Sequence, residues 1–446
     1  MDPVVTAPGT AFRKSRDAMP ADRRKTVLVI GTFDTKKEEL AFLREVIEGD
    51  GGAVLAMDVS VLGDTDEPVA ISKHDVAAAA GVTIAEVIAA GDENHAMALM
   101  SKGARALALT LLAERRFDAM ISLGGTMGTD LALDVALALP IGVPKYIIST
   151  VAFSALIPPD RLAADVQMIL WAGGLYGLNA ICRSALSQAA GAVLGAARTA
   201  CGVTDGRPLV GVSSLGNASL KYMRHLKPAL AARGYEAAFF HAQGMGGRAM
   251  ESLAEQGKLA AVFDLCLQEF NNGIHGSIVN SGPERLSRVG QAGLPQIVAP
   301  GTADLVDLPT WQPLPERFED RPCHVHNKLI SSVTLTEAER RHTAREIAAR
   351  LNAARGPLHV VLPLRGIQEW DREGEIGYDP PALAAFFEEL RERLDPSVPV
   401  TAIDAHINDK AFADAVMAVF DRWIADGTVA PPAGEARGLR AAMPTA

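Results

Sequence analysis

Glycine-rich loops placed directly after predicted strands hold the residues best suited to ligand chemistry. In the sequence HAQGMGGRAME, Gly244, Gly246 and Gly247 precede Arg248. Glycines let backbone N–H groups approach an anion closely, and a guanidinium can hold a carboxylate or phosphate through two parallel hydrogen bonds. This loop is therefore predicted to bind an anionic substrate. In the alternative interpretation the glycines only pack, and Arg248 pairs with Glu251 on an exposed helix face.

A second loop, SLGGTMGTD, lies between a predicted strand and a predicted helix. Its glycines allow several N–H groups to converge on a phosphate or carboxylate, and its hydroxyls add further donors. Close packing of the strand on the helix also requires glycine, but it does not require the hydroxyls. We therefore favour a ligand loop, with predicted cofactor contacts at Gly124, Gly125, Thr126, Gly128 and Thr129.

A third loop, GTFDTK, follows the first predicted strand. The unpaired N–H groups at the start of the next helix attract anions through hydrogen bonds and through the helix dipole. Asp34 can cap that helix or bind a metal ion, and Lys36 is either a phosphate ligand or a solvated side chain. The predicted cofactor contacts in this loop are Gly31, Thr32, Asp34, Thr35 and Lys36.

The other candidate groups are dispersed along the second half of the chain. Glu269, His326 and His241 are the predicted acid–base residues, and Asp304 and Asn327 are further predicted substrate contacts. His326 belongs to the sequence CHVHNK, in which both imidazoles share one face of a strand. No HExxH or CxxC motif is present, so we expect no metal site among these groups. No GxSxG motif is present, so no serine nucleophile is indicated.

Strand–loop–helix units that recur in both halves must position these loops. The first plan opens at KTVLVIGTFDT and restarts at RPLVGVSSLG, after a polar joint near residue 205. This alternation predicts an α/β protein with two consecutive Rossmann-like, doubly wound domains, parallel sheets and an interdomain cleft. The predicted domains span residues 23–204 and 205–428. Residues 1–22 are predicted to be a disordered lead, and residues 429–446 a flexible tail.

The net charge, the cysteines and the lengths of the apolar runs indicate which partners and which cellular compartment to expect. The chain has 446 residues and a formal net charge of -10, which argues against a polyanionic partner such as nucleic acid or a membrane surface. The 4 cysteines form no CxxC pair, which is typical of reduced thiols in a cytoplasmic protein. No run of eighteen apolar residues is present, so no membrane span is predicted.

Several longer stretches together resemble the Tm-one-like ATP-binding protein family. They include VLVIGTFDTKKEELAFL, LGGTMGT, LPIGVPKYIISTVA, GLNAICRSALSQAAGA, GYEAAFFHAQGMGGRAMESL, HNKLISSVTLTEAE and DAHINDKAFA, and they cover nearly the whole predicted ordered chain. The resemblance implies two Rossmann-like domains, a homodimer, and ATP in the N-terminal domain. It places ATP on the loops at 31–36 and 124–129, near Ser149 and Thr150. Mg²⁺ is a separate candidate cofactor beside ATP.

Three functional hypotheses follow. The first is an ATP-binding protein that also holds a small anionic metabolite at the interdomain cleft. The second is a nucleotide-independent hydrolase or lyase that acts on a small oxo- or hydroxy-acid, with Arg248 clamping the carboxylate and Glu269 or His326 moving protons. The third is a non-catalytic interaction module gated by a nucleotide.

Overall fold

The structure, a computed structural model, describes residues 24–201, 206–216 and 218–432. The predicted lead at 1–22 and most of the predicted tail lie outside the described residues. The described chain divides into two compact units. The N-terminal unit comprises the residues up to Leu139 with Val143–Phe153 and Gln167–Ala200, and the C-terminal unit comprises Pro140–Gly142, Ser154–Val166 and the residues from Cys201 onward.

The first sheet has five strands, in the order β2-β1-β3-β4-β5. They are β1 (Thr26–Gly31), β2 (Ala53–Asp58), β3 (Ala119–Gly124), β4 (Lys145–Ser149) and β5 (Val166–Leu170). The pairs β1–β2, β1–β3 and β3–β4 are parallel. Every residue of β3 and β4 is buried, as expected for parallel strands that are covered on both faces.

The described residues of the N-terminal unit form six helices. They are α1 (Lys37–Gly49), α2 (Lys73–Ala79), α3 (Ile84–Ile88), α4 (Glu93–Ala113), α5 (Thr126–Ala138) and α6 (Ala180–Thr199). α1 packs against α6, and α4 packs against α2 and α5. Among the described residues α4 is the one helix long and apolar enough to cross a membrane, but 44% of its most apolar window is buried in the protein. These packing contacts are those of a core helix.

The strands of the C-terminal unit form two sheets. They are β6 (Leu209–Ser214), β7 (Glu236–His241), β8 (Ala261–Cys266), β9 (Gln296–Gly301), β10 (Leu305–Pro309), β11 (Cys323–Val325), β12 (Ile330–Thr334), β13 (Leu358–Pro363) and β14 (Val400–Ile403). The larger sheet has six parallel strands in the order β14-β13-β9-β8-β6-β7. The smaller sheet is antiparallel, in the order β10-β12-β11.

Helices alternate with the strands of the larger sheet. They are α7 (Met223–Ala232), α8 (Gly246–Glu255), α9 (Gln268–Ile274), α10 (Arg288–Gln291), α11 (Glu337–Asn352), α12 (Pro380–Arg393) and α13 (Lys410–Ala425). The predicted α/β class with parallel, doubly wound sheets is confirmed. The antiparallel sheet was not predicted, because β11 has only 3 residues and β12 reads ISSVT, with polar residues where a buried strand is usually apolar.

Each parallel sheet has a point at which the strand order reverses. From β1 the chain adds β2 on one side and then returns to add β3 on the other side. From β6 it adds β7 and then returns to add β8 on the opposite side. In open α/β sheets, ligands bind at the carboxyl ends of the strands at this reversal. A ligand is therefore expected at the loops after β1 and β3 and at those after β6 and β8.

Candidate functional site

The first turn of α5 is open at the carboxyl end of β3. The helix begins after Gly125, where no side-chain hydrogen bond caps it, and Thr126 is exposed. Among the described atoms, a Cβ placed on Gly125 would find only the Thr150 hydroxyl oxygen, at 3.8 Å. Packing therefore does not require glycine at this position. The loop leaves room for an anion to reach the helix N–H groups, where the helix dipole favours negative charge.

The neighbouring glycines have a different role. A Cβ on Gly124 would lie 2.7 Å from the Cα of Gly128, so the end of β3 packs on α5 only if residue 124 is glycine. A Cβ on Gly128 would meet the Leu123 carbonyl oxygen at 3.4 Å, an ordinary contact. Of the predicted loop glycines, Gly124 is thus a packing residue, whereas Gly125 leaves open space.

Buried hydroxyls hold the adjacent strand ends together. The Oγ1 of Thr129 and the Oγ of Ser149 are 2.7 Å apart, and Ser149 Oγ accepts a hydrogen bond from the Val151 N–H at 3.0 Å. Both side chains are almost fully buried. These two hydroxyls support the loop from inside the protein. Thr126 and Thr150 are less buried and lie nearer the surface of the loop.

The loop after β1 contains one carboxylate oxygen without a partner. The Asp34 N–H donates to Ser60 Oγ at 3.1 Å, and Asp34 Oδ2 accepts from the Gly63 N–H at 3.1 Å. Asp34 Oδ1 is buried and has no hydrogen-bond partner. The hydroxyls of Thr32 and Thr35 lie 2.9 Å apart. Asp34 does not cap α1, whose N-cap residue is Lys36.

Lys36 anchors a neighbouring segment. Its Nζ donates to the Leu175 carbonyl oxygen and lies 5.0 Å from the centroid of the Tyr176 ring. The buried Glu39 accepts a hydrogen bond from the Gly177 N–H at 2.9 Å, which fixes the same segment. These contacts present the Tyr176 ring to solvent, with 94% of the residue exposed. Gly31, at the start of the loop, is a packing residue, because a Cβ there would lie 2.7 Å from Leu40 Cδ1.

The glycines that precede Arg248 are needed by the fold. A Cβ on Gly246 would lie 1.9 Å from the His241 carbonyl oxygen, and one on Gly247 would lie 1.8 Å from Glu269 Oε1. Gly244 has φ +105°, a conformation that favours glycine. Arg248 is buried and donates from Nη1 to the Pro159 carbonyl oxygen at 2.5 Å. Packing therefore explains why these positions are glycine. Binding of an anion by this loop stays a prediction.

A buried ion cluster lies beneath this loop. Arg285 Nε donates to Glu269 Oε1 at 2.7 Å, and Nη2 donates to Asp264 Oδ1 at 2.8 Å. Arg285 Nη1 lies 3.5 Å from Glu251 Oε1, which also accepts from the Leu286 N–H at 2.7 Å. All four charged side chains are at most 1% exposed. Burial raises the pKa of Glu251 to about 8 and also raises the pKa of Glu269. The positive charge of Arg285 acts in the opposite direction on both carboxyls.

A cavity of about 180 Å³ opens at the carboxyl ends of the central strands of the C-terminal unit. It is lined by residues that follow β6, β7 and β8 and by residues of the antiparallel sheet. Three predicted site residues, His241, His326 and Asn327, line it together. The structure thus brings together residues that lie far apart in the sequence, at the reversal point where ligands are expected.

A chain of hydrogen bonds runs from the floor of this cavity to its rim. The buried Asp307 accepts from Ser332 Oγ and, at 3.3 Å, from Gln243 Nε2. Gln243 Oε1 in turn lies 3.1 Å from His241 Nε2, and His241 is exposed. Burial raises the pKa of Asp307, and the hydrogen bonds from Ser332 and Gln243 oppose that rise. These hydrogen bonds link an exposed histidine at the rim to a buried carboxylate at the floor.

The two histidines of CHVHNK pack against one aromatic ring. The ring centroids of His324 and Trp370 are 4.4 Å apart, and those of His326 and Trp370 are 5.7 Å apart. The two imidazole centroids are 5.6 Å from each other. In the part of the chain that the structure describes, no group of three or more His, Cys, Asp or Glu side chains is placed to hold a metal ion.

Like the Arg248 loop, the remaining two predicted site residues of the C-terminal unit lie away from the cavity lining. Glu269 belongs to the ion cluster, where its Oε2 accepts from the Gly244 N–H at 3.0 Å. Asp304 is buried and accepts from Gln368 Nε2 at 3.2 Å, with Arg340 Nη2 at 3.9 Å. Burial raises the pKa of Asp304 to about 6, and the charge of Arg340 opposes this. Both carboxylates are thus engaged by buried hydrogen-bond and charge partners within the C-terminal unit.

Several residues of these sites were not predicted from the sequence. They are Tyr176 in the N-terminal unit and Gln243, Gln268, Asp307, Ser332, Trp370 and Arg285 in the C-terminal unit. Asp307 stands three residues after the predicted Asp304, in the sequence PGTADLVD, where an acidic residue at a strand is a usable signal. Gln243 and Ser332 stand in quoted stretches, but their place at the cavity depends on tertiary packing and on the antiparallel sheet, which was not predicted.

Comparison with known proteins identifies the family to which the chain belongs. The description "Uncharacterised protein family (UPF0261) N-terminal domain" matches residues 25–201, and the corresponding C-terminal domain matches residues 207–424. A UPF0261 protein of Brucella melitensis is 54% identical over 90% of this chain and 96% of its own length. A UPF0261 protein of Clostridium tetani is 34% identical over 88% of this chain and 97% of its own length.

The family resemblance drawn from the sequence is also confirmed. The ToMV resistance protein Tm-1 of Solanum lycopersicum is 30% identical over 88% of this chain. This chain spans 55% of the length of that tomato protein. Because both family domains match and relatives above 30% identity are covered almost throughout, the chain belongs to the UPF0261 family in its two-domain form and is a relative of Tm-1.

Proposed function

We propose that the N-terminal unit binds a nucleotide, with ATP as the expected ligand and with its phosphates at the start of α5. One observation carries this proposal: the helix starts without a side-chain cap, and the space beside Gly125 is open. This opening follows β3, at the point where the strand order reverses. An uncapped helix N-terminus at that point of a doubly wound sheet favours phosphate groups.

The exposed Tyr176 ring supports a nucleotide rather than a bare anion. Lys36 and Glu39 hold the segment that carries this ring, and the ring itself stays open to solvent. An exposed aromatic ring provides a surface on which a base can stack. We therefore assign Tyr176 to the base and the α5 terminus to the phosphates.

The donor set fits Mg²⁺ only as an ion that arrives with the phosphates. Asp34 Oδ1 is a buried acceptor without a partner in the loop after β1. Mg²⁺ in nucleotide sites is commonly held by one or two carboxylates together with phosphate oxygens and water. Asp34 is the residue that would hold it, and the ion would neutralise phosphate charge.

The anionic metabolite of the first sequence-based hypothesis receives less support. Arg248, its proposed clamp, is buried and donates to a backbone carbonyl oxygen within its own unit. The nucleotide site is therefore the function that the geometry favours.

A comparison of two titrants tests the assignment of Tyr176. Parent protein and Tyr176→Ala are titrated calorimetrically with ATP and with inorganic tripolyphosphate. Loss of one stacked base is expected to weaken ATP binding by about 1–3 kcal/mol, roughly 5- to 150-fold, and to leave tripolyphosphate binding unchanged. Tyr378→Ala, which removes an exposed tyrosine from the other unit, is the matched control. Equal weakening of both titrants, or of neither, would contradict base stacking at Tyr176.

A further inference from the structure

The floor of the cavity in the C-terminal unit contains an acceptor without a donor. Gln268 is fully buried and lines the cavity. Its Nε2 donates to the Leu305 carbonyl oxygen at 3.0 Å and to Asn272 Oδ1 at 3.1 Å, and these two bonds fix which end of the amide is oxygen. Gln268 Oε1 has no hydrogen-bond partner. Because buried polar atoms are normally paired, this oxygen indicates a donor that a ligand brings.

The charge of the lining argues against an anionic ligand. Asp307 is a lining carboxylate, and none of the described lining residues is lysine or arginine. A carboxylate or phosphate placed here would face Asp307 without a cation to pair with it, and it would leave Gln268 Oε1 without a donor. A ligand rich in O–H donors can donate to Gln268 Oε1 and can add a hydrogen bond to Asp307 beside those from Ser332 and Gln243.

The remaining polar side chains both donate and accept hydrogen bonds. The lining contains the amides of Gln243 and Asn327, the imidazoles of His241 and His326, and the hydroxyl of Ser332. A ligand hydroxyl also donates once and accepts twice, so this set matches a molecule with several hydroxyls better than an ammonium ion, which only donates. Trp370, backed by the His324 ring, supplies an apolar wall for the C–H face of such a molecule.

From these features we infer that the cavity binds a small, uncharged, polyhydroxylated molecule of the sugar or sugar-alcohol class. A volume of about 180 Å³ corresponds to about six molecules of liquid water at ~30 Å³ each, which suits a ligand of pentose size rather than a nucleotide or peptide. The hydroxyls bind Asp307 and Gln268 at the floor, and the ring or chain lies against Trp370. This inference does not depend on the nucleotide site of the other unit.

Saturation-transfer NMR on the full chain tests this inference with three matched probes. The probes are D-xylose, xylitol and D-xylonate, which differ in charge but hardly in size. D-Xylose or xylitol is expected to bind at least about tenfold more tightly than D-xylonate, the factor that corresponds to 1.4 kcal/mol. His326→Ala and Trp370→Ala are expected to abolish the signal. His95→Ala, an exposed histidine of the N-terminal unit, is the control and should retain it.

Asp307→Asn tests the charge argument separately. This change keeps the size of the side chain and removes its charge, so the preference for the neutral probes over D-xylonate is expected to shrink. Three results would overturn the inference: no binding of either neutral probe to the parent protein, tighter binding of D-xylonate than of D-xylose, or an unchanged signal in a folded Trp370→Ala variant. Trp370→Phe keeps an aromatic wall and should retain binding, which guards against a loss caused by misfolding.

Discussion

The buried Glu251 makes a sharp prediction about stability and pH. Burial raises the pKa of this carboxyl from 4.5 to about 8. Between these values the folded state keeps a proton that the unfolded state has lost, so stability falls as the pH rises. The slope for one proton is about 1.4 kcal/mol per pH unit, or roughly 2.7 kcal/mol between pH 5.5 and 7.5.

Glu251→Gln keeps a side-chain oxygen that can accept from the Leu286 N–H, and it has no proton to lose. Its stability relative to the parent is therefore expected to rise by roughly that amount between pH 5.5 and 7.5, as measured by urea unfolding at each pH. Glu255→Gln, one turn further along α8 with an exposed side chain, is the control and should keep the slope of the parent. Identical pH slopes for parent and Glu251→Gln would show that the carboxyl is ionised in the fold, and the reasoning would be wrong.

Three further predictions concern buried groups of the C-terminal unit. Gly247→Ala places a Cβ against Glu269 and Arg285 and is expected to lower the melting temperature strongly, whereas a calorimetric scan with no change would refute the packing role of that glycine. Arg248→Ala is expected to lower the melting temperature of the ligand-free protein, because the bond to the Pro159 carbonyl oxygen and the buried contacts are lost. An unchanged melting temperature together with loss of anion binding would instead favour the prediction that this loop binds an anionic substrate. Burial lowers the pKa of His359 to about 4, so the unfolded state takes up a proton first as the pH falls from 6.5, and stability is lost over that range. His359→Gln should flatten this loss between pH 6.5 and 4.5 in thermal melts, and an unchanged pH dependence would contradict it.

The sequence predicted the parallel sheets well, for a clear physical reason. Strands such as β3 and β8 are buried on both faces and read as continuous apolar runs that end at glycine or polar residues. Reading the loop after β3 led directly to Gly125, which lies at the open first turn of α5. The order of the strands, and therefore the reversal points, came only with the structure.

What the sequence did not reveal depends on contacts between distant segments. Gly246 and Gly247 look like a ligand loop in the sequence, but His241 and Glu269 occupy the space where their Cβ atoms would lie. Arg285 lies in a segment without any motif, yet it balances carboxylates from β8, α8 and α9. Burial of this kind depends on tertiary packing, which neither periodicity nor loop composition records.

The most direct test of the nucleotide site is calorimetric titration of ATP into the parent protein and into Gly125→Val. The structure provides room for a Cβ at residue 125, so the variant is expected to fold with a melting temperature close to that of the parent. Its branched side chain would fill the space beside the first turn of α5, and ATP binding is expected to disappear. Gly124→Ala is the contrasting variant, because its Cβ would lie 2.7 Å from the Cα of Gly128 and should destabilise the fold itself. ATP binding that is absent from the parent, or that survives in a folded Gly125→Val protein, would contradict a phosphate site at this helix terminus.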